Sequence, residues 1–359
     1  MNDSTGAPPR FRCGLVVGKF SPLHRGHQFL IERALSACDE VLIISYSVPE
    51  FPRCEATARQ RWLASLYPQA RRLVIDPAGL ATLCARQGRT SREIPHNDAS
   101  DEAHRLFCAW LCHDVLDARP DAVFTSEDYG DGFAAVLSRY FTTATGRPHT
   151  VRHVCVDRAR VAVPVSGTAL RATPAERQRY LSPIVNADCV DRICLLGGES
   201  TGKSVLAEAL AAEFGTTWVP EYGRERWLEK DGQLDFADML EIGRMQVVDE
   251  DERAGAARRW LFCDTSPLTT AFYSEAMLGR VDDALWRLAD RPYQRIWICA
   301  PDFPFVQDGT RRDPEFRSRQ HDWYLAELGR RRLPFDILTG SHQHRLAQAQ
   351  GWLRDVPDG

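Results

Sequence analysis

One stretch constrains this chain more than any other: Gly197-Gly198-Glu199-Ser200-Thr201-Gly202-Lys203-Ser204. It fits G-x-x-x-x-G-K-[ST], a pattern that works only between a strand and a helix. The flanks supply both. Arg192-Ile193-Cys194-Leu195-Leu196 is a short apolar run of buried-strand type. Val205 to Phe214 carries apolar residues at helical spacing, and Gly215 closes it. Glycines let successive backbone N–H groups point at phosphate oxygens, and the helix N-terminus adds its positive dipole end. Lys203 supplies a point charge for phosphate, and Ser204 a hydroxyl for Mg²⁺. The expected nucleotide-binding residues here are therefore Gly197, Gly198, Glu199, Ser200, Thr201, Gly202, Lys203 and Ser204.

The motif lies past the midpoint of 359 residues, so a second domain fills the first half. A net charge of −4 argues against non-specific nucleic-acid binding. The 11 cysteines are scattered without a C-x-x-C pair, which reads as reduced thiols in a cytoplasmic protein. No apolar run reaches transmembrane length, so no membrane insertion is expected. Residues 1–10 are polar and read as a disordered tail.

In the first half, Phe11 to Val17 reads as a strand, Gln28 to Ala37 as a helix and Glu40 to Ser45 as the next strand. Strand, helix, strand implies a parallel sheet. Lys19, His24 and His27 fall at the strand-to-helix transition, on the sheet edge where open α/β sheets bind ligands. Two imidazoles and an ammonium there suit phosphate charge. Ser166 and Thr168 sit where a loop enters a helix, with Arg171 following; simple helix capping is the plain alternative for the two hydroxyls. Ala58 to Leu66 reads as a helix, Ala122 to Phe124 and Val154 to Asp157 as strands, and Thr173 to Leu181 as a helix. Trp110 and His113 are aromatic candidates for ring stacking, against the commoner role of core residues. Pro183 is expected to break the chain, giving a boundary near residues 183 to 190 and domains of 11–185 and 190–355.

In the second half, Thr216 to Pro220 reads as a strand leading into Glu221-Tyr222-Gly223-Arg224-Glu225. Trp260 to Cys263 is an apolar strand ending in Asp264, placed to support Mg²⁺, with helix capping as the alternative. Asp235 to Asp249, Gln320 to Arg332 and His342 to Leu353 read as helices; Arg295 to Ala300 and Asp336 to Leu338 read as strands. Pro301 to Asp313 resembles the lid of a phosphate-transferring kinase, which would make Arg311 and Arg312 candidates to reach the moving phosphate, against a merely solvated charged loop.

Gly18-Lys19-Phe20-Ser21-Pro22-Leu23-His24-Arg25-Gly26-His27 resembles the H-x-G-H signature of nucleotidyltransferases, and its G-K-F-x-P form is similar to that of NadR-type adenylyltransferases. Val165-Ser166-Gly167-Thr168-Ala169-Leu170-Arg171 resembles the family's I-S-x-T-x-x-R motif. Thr125-Ser126-Glu127-Asp128-Tyr129-Gly130 is similar to its S-S-E-x-Y-G turn, with Thr for the first Ser. Glu221-Tyr222-Gly223-Arg224-Glu225 looks like the E-Y-x-R-E element of its kinase domain, and the lid carries a D-G-x-R segment. Ser266 stands where the family has a second Asp, which puts that Asp's role in doubt.

The resemblance implies an α/β chain of two Rossmann-like parallel-sheet domains, an H-x-G-H nucleotidyltransferase domain followed by a P-loop kinase domain. It implies a bifunctional NAD salvage enzyme using ATP and Mg²⁺. Nicotinamide riboside is phosphorylated to NMN, which is adenylylated to NAD with release of pyrophosphate. It places Gly18 and Phe20 at the nucleotide, Ser126, Glu127, Tyr129, Tyr222 and Arg224 at substrate, and Lys19, His24, His27, Arg171, Lys203, Asp264, Glu221, Arg311 and Arg312 in catalysis. Either Glu221 or Asp264 orients the riboside hydroxyl. Some family members begin with a helix-turn-helix domain; about ten residues precede the first strand here, so no DNA binding is expected. A monofunctional nucleoside kinase with a regulatory nucleotide-binding half, a relative acting on another nucleoside or phosphate ester, and a non-catalytic NAD/ATP sensor remain alternatives. Homo-oligomerisation is left open.

Overall fold

The structure is a computed structural model, and it describes residues 10–126, 129–159, 161–307, 309 and 311–354. The chain forms two compact units, Met1–Arg171 and Ala172–Gly359.

The first unit is built on five parallel strands: β1 (Phe11–Val17), β2 (Cys38–Tyr46), β3 (Arg71–Ile75), β4 (Ala122–Thr125) and β5 (Arg152–Cys155). Their order is β3-β2-β1-β4-β5. β1 is central; Leu15 lies opposite Leu42 of β2 and opposite Val123 of β4. Such strands are buried on both faces, which is why β2 carries an unbroken apolar run, Val41 to Ile44. The strand order reverses between β1 and β4, so the loops leaving their carboxyl ends flank one crevice.

Two strands differ from expectation. β5 is Arg152–Cys155, two residues earlier than the apolar run suggests, because its pairing with Ala122 to Thr125 sets its register. Asp157 leaves the sheet with φ 54° and folds its carboxylate onto the N–H groups of Val161, Ala162 and Val163. β3 escapes a sequence reading: Arg71 and Arg72 open it, and only Leu73, Val74 and Ile75 are apolar.

The second unit has β6 (Asp191–Leu196), β7 (Thr217–Val219), β8 (Trp260–Asp264), β9 (Arg295–Cys299) and β10 (Asp336–Leu338), all parallel, in the order β10-β9-β6-β8-β7. β6 is central, and Leu195 lies opposite Asp264 of β8. That register puts the Asp264 carboxylate beside the loop leaving β6. The helix after β7 is Tyr222–Glu229, and the crossover helix Phe236–Ala256 is longer than the expected 235–249. Its start is fixed by a capping box between Asp235 and Asp238.

Pro183 does not break the chain. It opens the helix Pro183–Cys189, where its missing N–H costs nothing. Asn186 on that helix donates to the carbonyl oxygens of Ala254, Gly255 and Ala257. The stretch from Ala172 onward therefore packs with the second unit, and the units divide at Arg171 rather than near residues 183 to 190. The expected helix over 173–181 is a 3₁₀ turn, Pro174–Glu176, and one helical turn, Arg177–Tyr180. Among the described residues no helix is long and apolar enough to cross a membrane. None of the 11 cysteines is in a disulfide.

Candidate functional site

The crevice of the first unit is a cavity of about 540 Å³. Gly18, Lys19, Phe20, His24 and His27 line it from the loop after β1. Ser126 and Tyr129 line it from the loop after β4, and Ser166, Thr168 and Arg171 from the last motif. Every described residue expected from the three motifs of this half lines it; Glu127 lies outside the described residues.

His24 is the N-cap of the helix Arg25–Ala37, and the helix starts three residues earlier than expected because of it. The Nδ1 of His24 accepts the His27 N–H at 3.3 Å, and the Nδ1 of His27 accepts the His24 N–H at 3.4 Å. Accepting at Nδ1 leaves Nε2 as the protonated nitrogen of each neutral ring. The rings stack with centroids 3.6 Å apart, and Phe20 meets His27 edge-on. A Cβ on the intervening Gly26 would stand 3.1 Å from the His24 ring, a tight contact that the stacked ring would have to relieve by shifting.

Arg171 ties the two signature loops together. It donates to the Ser21 carbonyl and, at 3.1 Å, to Thr168 Oγ1, with its guanidinium 4.1 Å from the Phe51 ring centroid. Ser166 Oγ accepts the Ala169 N–H at 3.1 Å, so the capping reading describes this hydroxyl. Lys19 Nζ donates to Asn97 O at 3.2 Å; burial, together with the charge of Arg171, lowers its pKa. His104, bonded to Tyr46 Oη at 3.1 Å, is lowered by burial and by Lys19. Trp110 and His113 do not line the cavity: Trp110 is buried in the core with Arg92 over its ring, and His113 faces Phe141.

The second unit holds a cavity of about 480 Å³ at the carboxyl ends of β6 and β7. Its floor is the loop 197–204, shaped by positive φ at Gly197 (142°), Ser200 (59°) and Gly202 (77°). Glu199, Ser200, Thr201, Gly202, Lys203 and Ser204 line the cavity. Gly197 and Gly198 lie beneath, where their carbonyl oxygens accept from Lys203 Nζ at 3.0 and 3.1 Å. Gly198 is packed against the Arg317 backbone; a Cβ there would be 2.6 Å from the Arg317 carbonyl oxygen.

Ser204 donates to Asp264 Oδ2, and Asp264 is 1% exposed. Burial raises its pKa. Glu221 lines the cavity, and burial, followed by the nearby charge of Asp264, pushes its pKa up to about 7. Arg224 lines the cavity as expected, but Tyr222 does not. On the helix Tyr222–Glu229, Gly223 and Trp227 share the cavity face four residues apart, and Tyr222 stands about 100° round from Gly223. Arg311 and Arg312 both line the cavity: Arg311 donates to Ser200 Oγ at 3.2 Å, while the Arg312 backbone N–H donates to Glu199 Oε2 at 2.7 Å and its guanidinium lies 5.1 Å from the Phe316 ring centroid. Ser266 caps the helix Pro267–Leu278.

Three supporting residues gave no signal in the sequence. Arg345, 1% exposed, donates to the carbonyls of Thr201 and Ala300 at 2.8 Å and of Gly340 at 3.0 Å, and pairs with Asp302. Gln320 Oε1 accepts the Glu199 N–H at 3.1 Å, and Tyr273 donates to Glu199 Oε1 at 2.9 Å. Each meets the loop from at least 70 residues away in sequence, where no local pattern records the contact.

A family model described as an AAA domain matches residues 192–345. The chain is 28% identical over 317 residues, 83% of this chain and 71% of its relative, to the Trifunctional NAD biosynthesis/regulator protein NadR of Escherichia coli K12. It is 27% identical over 319 residues to the protein of the same name from Salmonella typhimurium LT2, with the same shares covered. Its fold matches a crystal structure of a NadR protein in complex with NR, with a TM-score of 0.66 and 17% identity over 96% of each chain. It also matches a NadR protein in complex with NAD and AMP-PNP, with a TM-score of 0.64 and 18% identity over 97% of each.

Proposed function

This chain is a NadR-type protein, and on that premise we propose that it makes NAD from nicotinamide riboside in two ATP-dependent steps. The second unit phosphorylates the riboside to NMN. The first adenylylates NMN to NAD and releases pyrophosphate. One observation supports this reading: each unit has its own cavity, lined by its own glycine-, hydroxyl- and cation-bearing motif, at the carboxyl edge of its own parallel sheet.

In the second unit the riboside 5′-hydroxyl attacks the γ-phosphorus of ATP. Lys203 and the loop N–H groups hold the phosphates, and Arg311 and Arg312 neutralise charge on the moving phosphoryl group. Glu221 orients the hydroxyl and accepts its proton; it lines the cavity, whereas Asp264 is engaged by Ser204. Asp264 Oδ1 is buried without a hydrogen-bond partner. A carboxylate oxygen in that state beside a serine hydroxyl fits Mg²⁺, which Ser204, Asp264, ATP phosphate and water would hold. When bound, the ion neutralises phosphate charge.

In the first unit the NMN phosphate attacks the α-phosphorus of a second ATP. The nucleophile is already ionised, so the site needs positioning and charge stabilisation rather than a strong base. The Nε2–H groups of His24 and His27, with Lys19 and Arg171, donate to the oxygens of the reacting phosphate and of the departing pyrophosphate. Ser126 and Tyr129 contact the mononucleotide.

Nucleotide chromatography of purified protein with ATP, Mg²⁺ and nicotinamide riboside, beside a run started from NMN, tests both steps. Conversion of riboside to NAD through NMN supports the reading. Accumulation of NMN removes the first unit's assignment, and no reaction of either compound removes both.

A further inference from the structure

We propose that Gln246 is a direct, specificity-determining contact to the acceptor nucleoside, donating from its side-chain amide to one oxygen of the riboside. This rests on the kinase reading of the second unit. Gln246 is 2% exposed and lines the cavity. Its Oε1 accepts the Tyr222 N–H at 3.0 Å. A backbone N–H bonds only to an acceptor, so this contact fixes which end of the amide is oxygen. The other end, Nε2, is buried and has no hydrogen-bond partner. A buried donor without an acceptor is costly and is expected where a ligand completes the site.

The surroundings say what kind of ligand completes it. Gln246 shares a face of the helix Phe236–Ala256 with Ile242 and Met239, four and seven residues before it, and all three line the cavity. Trp227 and Met277 add apolar wall. Glu221 immediately precedes the residue whose N–H holds the Gln246 oxygen, and it lines the same cavity. A fixed neutral donor near a carboxylate acceptor, beside an apolar wall, suits a molecule with a flat ring and neutral oxygens. The riboside offers such oxygens at its ribose hydroxyls and at its base carboxamide. Both are the same chemistry, a neutral oxygen acceptor, and the test separates them.

The test is steady-state phosphorylation kinetics on the full chain with nicotinamide riboside and three analogues, lacking the 2′-hydroxyl, the 3′-hydroxyl or the carboxamide. Gln246→Glu keeps an oxygen for Tyr222 but removes the donor; Gln246→Met keeps volume and serves if the buried charge prevents folding. The expected result is a fall of about tenfold or more in kcat/KM for the riboside, with KM for ATP unchanged. That penalty disappears on the one analogue lacking the partner oxygen, which identifies it. The proposal is overturned if both variants match the wild type on riboside, or if the penalty persists on all three analogues. If the wild-type chain itself does not phosphorylate the riboside, the kinase reading has failed and this contact falls with it.

Discussion

His24 and His27 cap each other: each ring nitrogen Nδ1 accepts the other residue's backbone N–H, at 3.3 and 3.4 Å. The helix start and the protonation of the two rings are therefore one device. The hydrogen bonds that begin the helix also commit each neutral ring to carrying its proton on Nε2.

Removing either ring therefore removes both a phosphate donor and the fixed tautomer of its partner. His24→Ala or His27→Ala is expected to slow NMN adenylylation by about 10²- to 10³-fold. Riboside phosphorylation should continue, because its cradle is built from other residues. Chromatography would then show NMN accumulating from riboside. Equal loss of both activities would count against the assignment.

Lys203→Ala should do the converse. Its ammonium is expected to contribute to transition-state charge, so riboside phosphorylation should fall by about 10³-fold or more. NAD formation from supplied NMN should stay within a few-fold of wild type.

Glu221→Gln distinguishes the two carboxylates. It keeps shape and removes the proton acceptor, so kcat for riboside phosphorylation should drop by about 10²-fold with little change in KM. A loss confined to KM would instead mean that Glu221 only binds ribose.

Arg345 supports the phosphate loop from behind. Arg345→Met removes the guanidinium donor from the Thr201, Ala300 and Gly340 carbonyls and leaves Asp302 with the Gly340 N–H but no cation. Losing one partner of a buried charged network costs about 3–5 kcal/mol, readable by denaturant unfolding of the full chain. Unchanged stability would show that water replaces the guanidinium.

Glu250 sets a pH dependence of stability. Burial pushes its pKa up to about 7 although Arg291 Nε stands 2.8 Å from Oε2 and Tyr293 donates to Oε1 at 2.8 Å. The folded-state value exceeds the unfolded one. Its contribution is therefore full below about pH 4.5 and is lost as pH rises towards 7, up to roughly 3 kcal/mol. Gln in its place should flatten the fall in unfolding free energy between pH 5 and 7.5. Identical pH profiles would rule Glu250 out.

Local signals determined much of this protein. The glycine-rich loop, the H-x-G-H run and the unbroken apolar strands are short patterns, each set by contacts within a few residues. They placed every described charged or hydroxylic phosphate candidate at a cavity except Asp264, which is buried behind Ser204. Tertiary structure decided what distance in sequence conceals. The register of β5 comes from its pairing with β4, and the role of Pro183 from the helix it opens against residues 254–257. Tyr222 turns away from the cavity because of its angle on a helix that the motif alone did not reveal. The partners of the phosphate loop, Arg345, Gln320 and Tyr273, and the buried amide of Gln246 are ordinary residues in ordinary sequence. They acquire meaning only when folding brings carbonyls, N–H groups and carboxylates from distant segments within hydrogen-bond reach, and removes the water that would otherwise satisfy them.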